Sequence, residues 1–166
     1  MANQEFTRAI STELMSVLKP LGFRKRRLTF TRDRDGIVQM IALQKSTSST
    51  DAVVKVTANA GLWLSELAPI RAGIPDNPDI WSAHWQMRVG HLSPEKSDLW
   101  WSVGNDDDAT AVGAELGRRI LRYVLPEMER LSSREAVVQL WRSGAAPGLT
   151  TVQRDRYLAK LLGPDG

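Results

Sequence analysis

Arg24-Lys25-Arg26-Arg27-Leu28-Thr29-Phe30-Thr31-Arg32 runs through Asp33-Arg34-Asp35-Gly36 into Ile37-Val38-Gln39-Met40-Ile41-Ala42-Leu43-Gln44-Lys45-Ser46. Leu28 and Phe30 alternate with Thr29 and Thr31, the period of a strand buried on one side. Asp35-Gly36 is a hairpin signal, because glycine takes the positive φ that tight strand-to-strand turns require. The strand after it is apolar on both parities, Ile37, Ile41 and Leu43 on one and Val38, Met40 and Ala42 on the other. That pattern predicts a central strand covered on both faces. Gln39 is in phase with Ile37, Ile41 and Leu43, which places one amide in or beside a core.

Upstream, Phe6, Ile10, Leu14, Val17, Leu18 and Leu21 recur at three and four residues, the stripe of an amphipathic helix stopped by Pro20 and Gly22. Asn3 suits its cap, and Glu5 suits its positive end. Downstream, Ala52, Val54, Val56, Ala58 and Ala60 alternate with Val53, Lys55, Thr57 and Asn59, a third strand closed by Gly61. Residues 62–83 hold Pro69, Pro75 and Pro78 and predict a short helix near Trp63–Leu67, then an irregular loop. Trp85, Met87 and Val89 mark a fourth strand and Leu99, Trp101 and Val103 a fifth, with the segment from His91 to Ser97 as the hairpin connection.

The remainder reads as helices. Asn105-Asp106-Asp107-Asp108 opens the longest, with Val112, Leu116, Ile120, Val124, Met128 and Leu131 as its stripe and Pro126 as a kink or break. Gly113 and Gly117, one turn apart, are expected to bring it close to the sheet. A shorter helix around Glu135–Arg142 and a last one over about Thr151–Leu162, burying Val152, Leu158 and Leu161, follow. The order is a helix, a run of strands, then helices. It predicts an α+β fold: an N-terminal helix, an antiparallel sheet of about five strands, and C-terminal helices packed on the sheet. At 166 residues one domain is expected, with 146–166 as a loosely attached C-terminal helix.

Apolar residues make up 42% of the chain and charged ones 25%, a globular balance. The absence of cysteine excludes disulfides, thiolate nucleophiles and cysteine-ligated metal. Glu5, Arg8 and Glu13 interrupt any signal-peptide core, and no apolar run is long enough to span a bilayer, so a cytoplasmic location without membrane partners is expected. The net charge of +3 is unevenly placed: from Arg24 to Asp35 six bases meet two acids, a local +4, which leaves −1 for the rest.

The segment Leu18-Lys19-Pro20-Leu21-Gly22-Phe23-Arg24-Lys25, the Phe30-Thr31-Arg32 strand, the Val38-Gln39 to Gln44-Lys45-Ser46 strand and Asn59-Ala60-Gly61 resemble a bacterial family of uncharacterised single-domain proteins, the domain of unknown function numbered 4304. The likeness covers roughly Phe6–Gly61. Its motifs are structural punctuation, and the family carries no agreed catalytic residues, so the resemblance implies a fold and not a mechanism.

Reactive chemistry is sparse. Consecutive carboxylates at Asp106, Asp107 and Asp108 point about 100° apart on a helix and so cap its start rather than converge on an ion; no metal and no cofactor is expected. His84 and His91 are expected at opposite ends of one strand, without a serine partner, and the near-neutral intrinsic pKa of a histidine side chain makes either a candidate general base. Gln39, Gln44, Asn59 and His84 are candidates for a polar pocket. The basic collar Arg24, Lys25, Arg26 and Arg27 is a candidate for phosphates or an acidic protein surface, since guanidinium groups make bidentate contacts to both. Trp100 is out of phase with Leu99, Trp101 and Val103, so one of the indoles of Trp100 and Trp101 faces away from the main core. An exposed indole near arginine is a typical interface anchor. Together these favour a non-enzymatic protein-binding module, of adaptor or toxin-neutralising type, using the collar and an exposed tryptophan. Nucleic-acid binding through the collar is the alternative, and a small-molecule or hydrolytic pocket near His84 and His91 the second.

Overall fold

The computed structural model describes residues 2–68 and 78–164. Helix α1 (Ala2–Leu18) leads through a 3-10 turn (Lys19–Leu21) into strands β1 (Arg24–Arg26), β2 (Thr29–Arg34), β3 (Ile37–Lys45) and β4 (Val54–Leu64). Then come β5 (Trp85–Arg88), a helical turn α2 (Val89–Leu92) and β6 (Trp101–Val103). Helices α3 (Asp106–Arg119), α4 (Leu125–Arg130), α5 (Arg134–Arg142) and α6 (Thr151–Leu162) complete the chain, with a π turn (Ile120–Val124) joining α3 to α4. The sheet is antiparallel in the order β1-β2-β3-β4-β5, and β6 pairs with β4 as well. The expected α+β architecture is what the chain adopts.

The hairpin at Asp35-Gly36 forms as the residues dictate. Arg34 pairs with Ile37, and Asp35 and Gly36 both take positive φ (52° and 87°). Strand β3 is buried on both sides for two separate reasons. Ile37, Ile41 and Leu43 join Phe30, Ala58, Ala60 and Leu62 in the main core beneath the helices. Val38, Met40 and Ala42 pack with Trp63, Ile80 and Ala83 in a second cluster on the opposite face. There a 3-10 turn (Ile80–Ser82) lies on the sheet.

Local pattern misleads at several points. The collar is a strand in its own right, β1, folded back on β2 through a turn in which Arg27 takes φ 54°. The third strand does not close at Gly61 but runs on through Leu62, Trp63 and Leu64, and only Ser65–Leu67 forms a short 3-10 turn. Gly61 stays in the strand because its bare face admits Ile80, whose Cδ1 lies 2.6 Å from where a Cβ would sit. Pro69 and Pro75, within the expected loop, lie outside the described residues. The fourth and fifth strands do not form a hairpin: β5 pairs with Asn59–Leu62 and β6 with Val54–Val56, both against β4. The connection contains the helical turn α2, and Arg119 holds it to α3 through Glu95.

Helix α1 buries Phe6, Ile10, Leu14 and Leu18, whereas Val17 is only half-buried and Leu21 is exposed, because the 3-10 turn rotates it off the stripe. Gly113 and Gly117 face α1, not the sheet: a Cβ on Gly113 would meet that of Glu13 at 2.6 Å, and one on Gly117 would meet Val17. The whole stripe from Val112 to Leu131 is buried. The break expected at Pro126 takes the form of the π turn, in which the Leu125 N–H reaches back to the Ile120 carbonyl. The looser turn accommodates a proline ring that clashes with a regular helical carbonyl. In α6, Leu161 is buried and Tyr157 meets His84 edge-on, while Val152 is exposed.

Candidate functional site

The bases of the opening segment divide into two populations. Arg32 lies opposite Gln39 across β2 and β3 and faces the helices with Phe30 and Ile41. Its Nε and Nη2 both donate to Gln39 Oε1 (2.9 and 2.7 Å), its Nη1 donates to the Leu21 carbonyl (2.8 Å), and Nη2 also reaches Glu129 Oε1 (2.6 Å). Phe23 closes it from the other side, with the guanidinium 4.5 Å from the ring centroid. Gln39 Nε2 donates to Ser132 Oγ (2.7 Å), so the amide expected near a core is fully used. Burial pulls the Arg32 pKa below its ordinary value, with Arg34 adding to that and Glu129 opposing it. This cluster joins the hairpin to α4, and its polar groups are occupied by one another.

Arg24, Lys25, Arg26 and Arg27 are all exposed, and none makes an ion pair among the described residues. Arg34, Arg88, Arg118, Arg119, Arg130, Arg134 and Arg154, by contrast, each pair with a carboxylate. Strand alternation splits the collar. Lys25 is opposite Phe30 and shares the helix side, whereas Arg24 and Arg26, opposite Thr31 and Thr29, take the other. On the helix side Lys25 and Arg27 join Arg8 of α1 and Lys45 at the end of β3 around a cleft of about 280 Å³. Neither Arg8 nor Lys45 stands out in the sequence as part of the collar, because both arrive from distant segments.

The four residues proposed for a polar pocket do not assemble. Gln44 and Asn59 do meet, Asn59 Nδ2 donating to Gln44 Oε1 at 2.8 Å, on the sheet face away from the main core. Gln39 is on the opposite face. His84 is buried between Trp63 (centroids 6.1 Å apart) and Tyr157 (5.0 Å), and its Nδ1 accepts from the Leu64 N–H at 2.9 Å. Burial, with Lys160 adding to it, pushes the His84 pKa down to about 4, so the ring is neutral near pH 7. A histidine so enclosed braces the end of β4 and is not placed to exchange protons with a ligand.

His91 is exposed beside a groove of about 630 Å³ that also includes Asn59, Trp81, Arg88 and Asp98. Its charged pair is internally matched: Arg88 Nη1 donates to Asp98 Oδ2 (2.6 Å), which holds that carboxyl below its usual range. Trp100 crosses the same face. Its indole N–H donates to Asp98 (3.1 Å), and the Arg88 guanidinium lies 4.9 Å from the ring centroid. Trp101 packs against the main core, with Arg119 5.6 Å from its ring centroid. Both indoles are half-buried; the most exposed tryptophan is Trp81, at 63%. Nothing in its spacing distinguishes Trp81 from the others in the sequence.

At the start of α3 Asn105 is the cap, its Oδ1 accepting from the Asp108 N–H, and Asp108 Oδ2 accepts from the Gly104 N–H; Asp106 and Asp107 stand in the first turn, where their charge complements the helix's positive end. Among the described residues no group of three or more histidine or carboxylate side chains is placed to hold a metal ion, and no helix is long and apolar enough to cross a membrane. The family model described as Domain of unknown function (DUF4304) matches residues 14–130. No curated protein and no solved structure matches the chain.

Proposed function

The chain belongs to the DUF4304 family, and we propose that it is a non-catalytic cytoplasmic binding protein that holds an acidic protein surface against its basic sheet edge. The observation that carries this reading is that Arg24, Lys25, Arg26 and Arg27 stand side by side with no ion pair among the described residues, where eight of the twelve other described arginines are matched to carboxylates. A charged edge strand also discourages sheet-to-sheet pairing, but that role does not require four bases in succession.

An acidic protein surface suits the edge better than a nucleic-acid strand. The bases alternate between two faces instead of lining one track, and the nearby rings Phe23 and Phe30 are buried and offer no stacking platform. The half-buried indoles of Trp100 and Trp101 contribute less than their sequence position suggests. Capture from a native lysate on the immobilised chain, in parallel with an Arg24→Gln/Arg26→Gln variant, tests the proposal. A defined protein retained by the wild type and lost by the variant is expected. Retention of material absorbing at 260 nm in place of protein decides for nucleic acid.

A further inference from the structure

We propose that the inner side of the basic edge is a binding site for a phosphate monoester dianion; this rests on reading that edge as a binding surface and gives it a small-molecule ligand. Arg8, Lys25, Arg27 and Lys45 surround one cleft, and no carboxylate lines it. None of the four makes an ion pair among the described residues, and the polar partner of Lys45 is neutral, Asn3 Oδ1 at 3.3 Å from Nζ. Glu5 and Glu13 stand in a separate depression, on the other flank of α1 beyond Arg8.

A second, independent observation comes from Ser11 in the wall of the cleft. Serine and threonine inside a helix ordinarily donate to a carbonyl one turn back. Thr7, Thr12 and Ser16 of α1 do so, to Asn3, Arg8 and Glu13 respectively. The Ser11 hydroxyl is fully buried and has no partner. Among the described residues it is the one hydroxyl of these four without a partner, in a residue that lines the cleft.

The charge and size select the ligand. Four cations around a cleft of about 280 Å³, with no carboxylate in its lining, favour a compact anion. A phosphate monoester brings a charge near −2 and three strong acceptor oxygens, matching guanidinium, ammonium and hydroxyl donors together. A carboxylate brings half that charge, and a phosphodiester within a chain brings half and must pass through. The volume is at the lower end of ligand pockets, enough for the phosphate and a short organic portion.

Calorimetric titration of the full chain at low salt, with inorganic phosphate, with glucose 6-phosphate, with glucose and with a single-stranded oligonucleotide, tests the assignment. Expected is saturable one-to-one binding of the phosphate species and none of glucose. A Lys25→Gln/Lys45→Gln variant weakens binding by about tenfold or more, since each charge-assisted bond is worth that order. An Arg142→Gln/Arg156→Gln variant, which removes equal charge elsewhere, changes binding by less than about twofold. Tighter binding of glucose 6-phosphate than of inorganic phosphate identifies an organic monoester as the ligand, and equal binding identifies free phosphate. No binding of either phosphate species, equal loss in both variants, or binding of a single-stranded oligonucleotide alone overturns the proposal. If phosphate fails while lysate capture still depends on Arg24 and Arg26, the cleft assignment falls and the protein-binding edge stands. If phosphate titrates as expected and capture yields nothing, the reverse holds.

Discussion

Arg32 and Arg26 carry the same charge on neighbouring strands, yet one is 9% exposed with every guanidinium nitrogen engaged and the other stands in solvent. The difference predicts opposite responses to substitution. Arg32→Ala leaves the buried Gln39 Oε1 and the Leu21 carbonyl without their donors, and is expected to cost about 1–3 kcal/mol. Glu129→Gln, at the half-exposed end of the same network, costs about 0–1 kcal/mol. Denaturant unfolding of the two variants separates these values. His84 supplies a second prediction. Its folded pKa of about 4 lies below the ordinary 6.5, so between those values the unfolded chain takes up a proton that the folded chain refuses. The group therefore leaves stability untouched above pH 6.5 and subtracts from it as pH falls toward 4, by on the order of 3 kcal/mol. His84→Asn, which retains an acceptor for the Leu64 N–H, is expected to flatten that slope in thermal melts taken across the window.

At the scale of elements, α1 and α3 approach closely because Gly113 presents no side chain to Glu13 and Ile10. Gly113→Val forces the pair apart and adds a β-branched residue to a helix, at about 1–3 kcal/mol. Chemical denaturation measures it, and an unchanged midpoint contradicts the close packing. Elements set by their own period were legible: the α1 stripe, the Asp35-Gly36 turn, the two-faced β3, and the buried face running from Val112 to Leu131. Those decided by a distant partner were not. Strand β4 outruns Gly61 because a turn from beyond residue 78 covers it, and β5 and β6 ignore each other because β4 is long enough to pair with both. The glycines of α3 announce close packing, but not whether a helix or the sheet is the neighbour.

Across the whole molecule, the charge excess read from Arg24 to Asp35 is redistributed by folding. Arg32 and Arg34 turn to Glu129, while Arg8 and Lys45 come from elsewhere to join Lys25 and Arg27. The candidate surface was thus half legible: sequence shows consecutive bases but not which ones tertiary contacts neutralise or recruit. The proposed polar pocket failed for a different reason, one already legible in the strand's period: Gln39 and Gln44 have opposite parity on β3 and share no face. An edge that works by uncompensated charge must lose its partner as salt rises, because exposed attractions are screened within a Debye length of about 10 Å at 0.1 M. The most direct measurement is the salt elution profile of lysate protein held on the immobilised chain, with the wild type and the Arg24→Gln/Arg26→Gln variant side by side. The account predicts a protein retained at low salt, released as salt increases, and held weakly or not at all by the variant; retention that is indifferent both to salt and to those two arginines would contradict it.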